Sequence, residues 1–193
     1  MSLLRPDTLE AALEIRARRD VVPLAGGTDV FPARSLGEAW GHPPKAPLLD
    51  LSAIAALRGI EEDADGHRIG ALVTWSEVIR QPLPAHFEGL KAAGRELGGH
   101  QIQNRGTLVG NLCNASPAAD GAPVLLVLEA EIELASLAGS RRLPLAEFTT
   151  GNRETVLRPD ELAIALHVPR PAATVPSAFL KLGSRRYLVI SIA

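Results

Sequence analysis

The sequence predicts an α+β fold of two α/β subdomains, a small parallel sheet followed by a larger, mainly antiparallel sheet with helices. Three observations predict it. Residues 1–57 run through short, continuously apolar strands separated by helix-spaced segments, the rhythm of a parallel β-α-β unit. From about Arg58 the strands alternate between apolar and polar residues and are joined by turn residues, as antiparallel neighbours are. Within that second part lie helix signals, from the Thr74-Trp75-Ser76-Glu77 capping box to the apolar run opened by Pro123. The chain has 193 residues, 46% hydrophobic and 22% charged, which suffices for one domain or two small ones with apolar cores.

In the first unit, Asp7 or Thr8 caps a helix carrying Leu9, Ala12, Leu13 and Ala17 at helical spacing through Arg19. Val21-Val22-Pro23-Leu24-Ala25 reads as a buried strand stopped by Gly26-Gly27. A second helix and a Pro43-Pro44 loop lead to the strand Leu48-Leu49-Asp50-Leu51, and Ile54 to Leu57 forms a brief turn or helix.

The second unit is expected over residues 58–170. Gly59 to Glu62 and Arg68 to Leu72 flank Asp63-Ala64-Asp65-Gly66, whose Asp-Gly pair suits a hairpin. Thr74-Trp75-Ser76-Glu77 fits a capping box, so a short helix runs toward Pro82 and Pro84. Phe87 to Leu97 is a further helix, a Gly/Asn-rich segment covers Gly98 to Asp120, and Pro123 opens an apolar helix through Leu128. Glu131 to Ser136, Arg141 to Leu145 and Glu161 to Val168 are strands, the first pair joined around Gly139. Pro169-Arg170-Pro171 reads as a linker, and residues 171–193 as the start of a third domain cut short.

Several function classes are excluded. A net charge of -2 and the lack of a dense basic run with interleaved aromatics speak against nucleic acid. No stretch approaches the roughly 20 apolar residues that span a bilayer, and the N-terminus has no apolar signal core; a cytoplasmic location without membrane contact is expected. Cys113 is the only cysteine, so the chain forms no internal disulfide and cannot ligate an iron–sulfur cluster unaided. His42, His67, His86, His100 and His167 are scattered without metal-ligand spacing. No G-x-S-x-G is present, and Glu61, Glu62, Asp63 and Asp65 read as a solvated hairpin face.

Two segments carry chemistry. In Leu24-Ala25-Gly26-Gly27-Thr28-Asp29-Val30, two glycines after a strand let the backbone turn sharply and present amides to an anion. The plainer reading is a strand-to-helix turn capped by Thr28 or Asp29. It is neither a P-loop nor a Rossmann G-x-G-x-x-G. The second segment runs from Gln101 to Asp120: Gly106, Gly110, Ala115 and Ser116 permit close backbone approach, and Thr107, Asn111, Asn114 and Ser116 offer neutral polar groups suited to an extended pyrophosphate-bearing ligand. Cys113 within it reads as a small buried hydrophobe.

These residues, Ala-Gly-Gly-Thr-Asp at 25–29 and Thr-x-x-Gly-Asn-x-x-Asn-Ala-Ser-Pro-x-x-Asp at 107–120, resemble the FAD-binding (medium) subunit of the molybdenum hydroxylase family, of the xanthine dehydrogenase and carbon monoxide dehydrogenase type. The likeness extends to Arg5-Pro6-Asp7-Thr8-Leu9-Glu10-Ala11-Ala12, to Leu157-Arg158-Pro159-Asp160-Glu161-Leu162, and to Phe179, Lys181, Gly183 and Arg185-Arg186. It implies a PCMH-type, vanillyl-alcohol-oxidase-like fold holding FAD extended between the subdomains. On that likeness Val22, Pro23, Leu24, Ala25, Gly26, Gly27, Thr28, Asp29 and Val30 wrap the diphosphate; Gly106, Thr107, Gly110, Asn111, Cys113 and Asn114 hold the middle of the cofactor; and Asp120 accepts from the adenosine ribose. Leu97, Gly98, Ile102, Leu162, Ala163 and Lys181 complete the set, with Leu162 or Ala163 and Lys181 toward the isoalloxazine. Leu97 stands where some relatives stack an aromatic ring.

The resemblance further implies an oxidoreductase subunit with no catalytic or metal-ligating residue of its own, moving electrons from 2Fe-2S clusters through FAD to NAD, oxygen or a quinone. The 2Fe-2S and molybdopterin groups would reside on partner subunits, with this chain as the medium subunit of a heterotrimer, usually doubled. Two alternatives stay open: a self-sufficient FAD oxidoreductase of the same fold, and a flavin-free interaction module.

Overall fold

A computed structural model describes residues 2–42, 46–173 and 175–181. The Pro43-Pro44 loop, Gly183, Arg185-Arg186 and the rest of the expected third domain beyond Lys181 lie outside the described residues.

The first unit contains β1 (Leu3–Leu4), α1 (Leu9–Arg18), β2 (Val22–Leu24), α2 (Val30–Ala39) and β3 (Leu48–Asp50). Its sheet has the order β1-β3-β2, and both pairings are parallel. The central strand is the most deeply placed: Leu48 and Leu49 are fully buried. Pro23 is tolerated because β2 is an edge, where a missing N–H breaks no ladder on its open side. Thr8 is the cap of α1, its hydroxyl accepting from the Ala11 amide at 3.2 Å. Strand β1 has no signal in the sequence, since two residues show no periodicity; it exists because Leu48 N–H donates to the Ser2 carbonyl and Leu3 pairs with Leu48.

The second unit begins with β4 (Ile60–Glu62) and β5 (Gly66–Gly70). Their turn is closed by Asp63, whose Oδ1 accepts from the amides of Asp65 and Gly66, each at 2.9 Å. Helix α3 (Trp75–Arg80) opens with the expected capping box, Thr74 and Glu77 each satisfying the other's amide. Helices α4 (Glu88–Glu96), α5 (His100–Gln103), α6 (Leu108–Cys113) and α7 (Gly121–Val127) follow, then β6 (Glu131–Ser136), β7 (Gly139–Pro144), α8 (Leu145–Phe148), the hairpin β8 (Thr149–Gly151) and β9 (Glu154–Thr155), and β10 (Leu162–Pro169). The five-stranded sheet has the order β4-β5-β10-β6-β7, and every pairing is antiparallel. The α+β class expected from the sequence is the one observed. Trp75, Phe87, Leu90, Leu108, Leu112, Leu125 and Phe148 form a fully buried layer with the inner face of this sheet.

Three local expectations are corrected. The Gly/Asn-rich segment from Gly98 to Asp120, to which the sequence assigned no element, holds α5 and α6, α6 started by Thr107, whose hydroxyl accepts from Gly110 N–H. Leu145 leaves β7 and begins α8, its amide donating to the Ala130 carbonyl. The histidines are not all apart: buried His67 and His86 meet edge to face, ring centroids 6.0 Å from each other, and both rings pack on Phe87. Among the described residues no group of three potential ligands could hold a metal, and no helix is long and apolar enough to cross a membrane.

Candidate functional site

A cleft of about 560 Å³ opens between the two units, within the size range of cofactor sites. One wall is the turn from β2 into α2. Gly27 adopts φ +77°, a left-handed conformation that disfavours any side chain. Gly26 is required for a different reason: a Cβ there would collide with the carbonyl of Arg105 and with Gly106 Cα. The first turn therefore closes directly against the second segment, backbone on backbone.

The second wall runs from the end of α4 to α7 and is anchored from beneath. Trp75 N–H donates to the Gly106 carbonyl, Leu108 N–H donates to the Val73 carbonyl, and Ser76 Oγ donates to Asn104 Oδ1 at 2.6 Å. Gln103, buried, donates its amide to the carbonyls of Arg95 and Leu97, which fixes the chain where Leu97 and Gly98 meet the cleft. Trp75 forms the floor, with Gly94 and Gly121 pressed against its ring.

Of the residues assigned to FAD by likeness, Pro23, Ala25 to Val30, Leu97, Gly98, Ile102, Gly106, Thr107, Gly110, Asn111, Cys113, Asn114, Asp120, Leu162 and Ala163 line this one cleft. Val22, Leu24 and Lys181 do not line it. Leu24 turns into the core at 7% exposure. Lys181 Nζ donates to Asp120 at 2.9 Å, a contact between two residues that the resemblance set toward opposite ends of the cofactor. A buried carboxylate needs a partner, and Lys181 is that partner here.

Leu162 and Ala163 reach the cleft because Glu161, 3% exposed, pins the start of β10. Its carboxylate accepts from Arg141 Nε at 2.7 Å, from Arg141 Nη2 at 2.9 Å and from Arg158 N–H at 2.8 Å. Those bonds, Arg141 first, hold the Glu161 carboxyl below the usual range against desolvation. Burial pushes the Cys113 thiol up to about 12; although part of the residue reaches the cleft surface, its sulfur stays protonated and unreactive.

The cleft also contains residues that the sequence did not single out: Arg16, Leu51, Ala71, Trp75, Val109, Arg153 and Leu157. The apolar ones look like ordinary core positions in sequence. Arg16 bonds the carbonyls of Val21 and Glu161 across the two units, and burial lowers its guanidinium. Arg153 lies in the β8–β9 turn, where no sequence signal sets it apart from other surface arginines.

Two features of this cleft fit an extended, phosphate-bearing cofactor. Asn111 Oδ1 is buried at the cleft without a hydrogen-bond partner among the described residues, an acceptor awaiting an external donor. The glycine turn at Gly26-Gly27 lines the cleft and leads into the N-terminus of α2, where backbone amides suit an anion. Of the cleft's acidic side chains, Asp120 is paired with the Lys181 ammonium and Asp29 accepts from the neutral Asn114 amide.

A family model described as the FAD binding domain in molybdopterin dehydrogenase matches residues 1–171. The nicotinate dehydrogenase FAD-subunit of Eubacterium barkeri is 34% identical over 97% of this chain and 64% of its own length. The xanthine dehydrogenase FAD-binding subunit of Escherichia coli O157:H7 gives the same identity and coverage. In three dimensions, carbon monoxide dehydrogenase from Hydrogenophaga pseudoflava matches with a TM-score of 0.89 and 28% identity over 97% of this chain and 65% of that one. Quinoline 2-oxidoreductase from Pseudomonas putida 86 matches with a TM-score of 0.80 and 26% identity over 89% and 60% of the respective chains. The chain thus spans just under two thirds of the length of these three relatives.

Proposed function

We propose, because this chain belongs to the family of FAD-binding domains of molybdopterin dehydrogenases, that it binds FAD extended along the cleft and serves as the electron-transfer part of a molybdopterin-dependent hydroxylase or dehydrogenase. The observation that carries the reading is the junction of Gly26 with Arg105 and Gly106, which brings both family motifs onto one cleft. In this reading the amides of 25–30 face the diphosphate, an arrangement suited to anions. Asn111 Oδ1 accepts from the cofactor, and Asp120, oriented by Lys181, accepts from the adenosine ribose. Leu162 and Ala163 border the ring, and Leu97 leaves one face without an aromatic neighbour.

FAD, when bound, supplies exchange between one-electron and two-electron donors. The protein's part is to bind, orient and shield. Electrons would enter from 2Fe-2S clusters on one partner subunit and originate at a molybdopterin subunit, leaving to NAD, oxygen or a quinone; the relatives named as FAD or medium subunits support this division of labour. The division into residues 1–57, 58–170 and 171–193, and a cytoplasmic location, belong to the same reading. Direct oxidation of a substrate by this chain is not favoured, because the cleft's thiol is held protonated and Asp120 is paired. The test is the visible absorption of the purified chain before and after adding FAD. Protein-bound flavin bands are expected; a colourless chain that takes up no FAD would refute the reading.

A further inference from the structure

Asp29, Asn114 and Arg153 come from three separate segments of the cleft and join in one hydrogen-bonded chain. Asn114 Nδ2 donates to Asp29 Oδ1 at 2.8 Å, and Arg153 Nη1 donates to Asn114 Oδ1 at 2.6 Å. The chain is directional. Arginine has only donors and a carboxylate only acceptors, so the amide between them is fixed with its oxygen toward Arg153 and its nitrogen toward Asp29.

The surroundings are arranged for this contact. Asp29 stands at the start of α2 but its side chain makes no bond to that helix's amides, so its carboxylate reaches across the cleft instead of serving as a cap. Ala115 and Arg153 both hold left-handed conformations, φ +46° and +58°. A residue with a Cβ is disfavoured in this conformation. The two are tied to each other, Arg153 N–H donating to the Ala115 carbonyl at 2.9 Å. Such conformations persist only where neighbouring structure holds them.

We propose that Asp29–Asn114–Arg153 is a latch that holds the glycine turn of the small sheet against the helical wall, and that Asn114 is a positioning residue acting through Asp29 and not a direct ligand of the cofactor. The latch rests on FAD as the occupant of the cleft. Both bonds are solvent-exposed. Exposed polar contacts add little to global stability but control local opening, so the latch governs how fast FAD leaves.

The test uses the FAD-loaded chain and follows release by flavin fluorescence, with the melting temperature of the FAD-free chain alongside. Asn114→Asp sets two carboxylates against each other and accelerates release about tenfold, the loss of one hydrogen bond to a charged group. Adding Asp29→Asn restores the parent rate to within about threefold: the amide introduced at position 29 donates to the carboxylate introduced at position 114, and Arg153 still donates to that carboxylate. Arg153→Gln also accelerates release, with the FAD-free melting temperature unchanged. A direct cofactor contact from Asn114 predicts no rescue by the change at 29; failure of that rescue, or parent-like release in all three variants, overturns the latch while FAD binding stands. A parent chain that takes up no FAD removes the occupant and the latch together.

Discussion

Replacing Gly26 with alanine introduces a methyl group where the Arg105 carbonyl oxygen, the Arg105 carbonyl carbon and Gly106 Cα already stand. All three atoms are backbone, and none can rotate away as a side chain would. Gly26 itself is outside the left-handed region, so the cost is steric and not conformational. Overpacking of this kind costs about 1–3 kcal/mol, and the relief available is for the two cleft walls to part. A chain of this size loses roughly 2–4 °C of melting temperature per kcal/mol, so a drop of about 6 °C is expected without FAD. The larger effect falls on binding, since the displaced wall presents the amides of 25–30. FAD at 100 times its dissociation constant stabilises by about 2.7 kcal/mol; in Gly26→Ala at the same concentration most of that increment should vanish. Thermal unfolding with and without FAD measures both quantities. Gly27→Ala is the companion: its Cβ meets only movable side chains, the Phe31 ring closest, and the left-handed φ costs about 1–2 kcal/mol. If Gly26→Ala melts and binds FAD like the parent, the junction of the two motifs is not what builds the site.

Three further outcomes are expected. Burial lowers the pKa of His67, with Arg170 assisting and Glu62 and Asp63 opposing; burial and then His67 and Arg170 lower that of His86, with Glu62 opposing. A depressed pKa means the unfolded chain takes up protons first, so stability is intact above about pH 6.5 and falls as pH drops through the folded values; His67→Gln should flatten that limb in denaturant titrations run between neutral and mildly acidic pH. Glu161→Gln leaves Arg141 with a weaker acceptor and should cost about 1.5–3 kcal/mol, with a loss of FAD affinity because Leu162 and Ala163 shift; equal midpoints in urea would contradict the assigned role. Lys181→Met leaves the Asp120 carboxylate without its cation, and should weaken FAD binding by about tenfold, the loss of one hydrogen bond to a charged group, a loss that Asp120→Asn added to it does not deepen; calorimetric titration of the two variants decides it.

Local chemistry was readable from the residues themselves. The Thr74–Glu77 capping box, the Asp63 turn and the strand from Glu131 to Ser136 depend on neighbours a few positions away, and each stands where its signal lies. The two glycine-bearing motifs were likewise visible, because a sharp turn and a small-residue wall require particular residue types in a short run. What they build together was not visible, since that depends on Gly26 meeting Arg105 from the far side of the intervening strands and helices.

Periodicity by itself determined the α+β class, and the two motifs by themselves determined the family resemblance and most of the residues that line the cleft. Tertiary structure alone decided that β10 lies at the centre of its sheet, that His67 faces His86, that Lys181 answers Asp120, and that Arg153 reaches Asn114. The physical reason is common to all four. Each is a pairing between segments distant in sequence, and the residues involved carry the same local propensities whether or not the partner is there; only the packing of the two sheets and the helices between them brings the partner within reach.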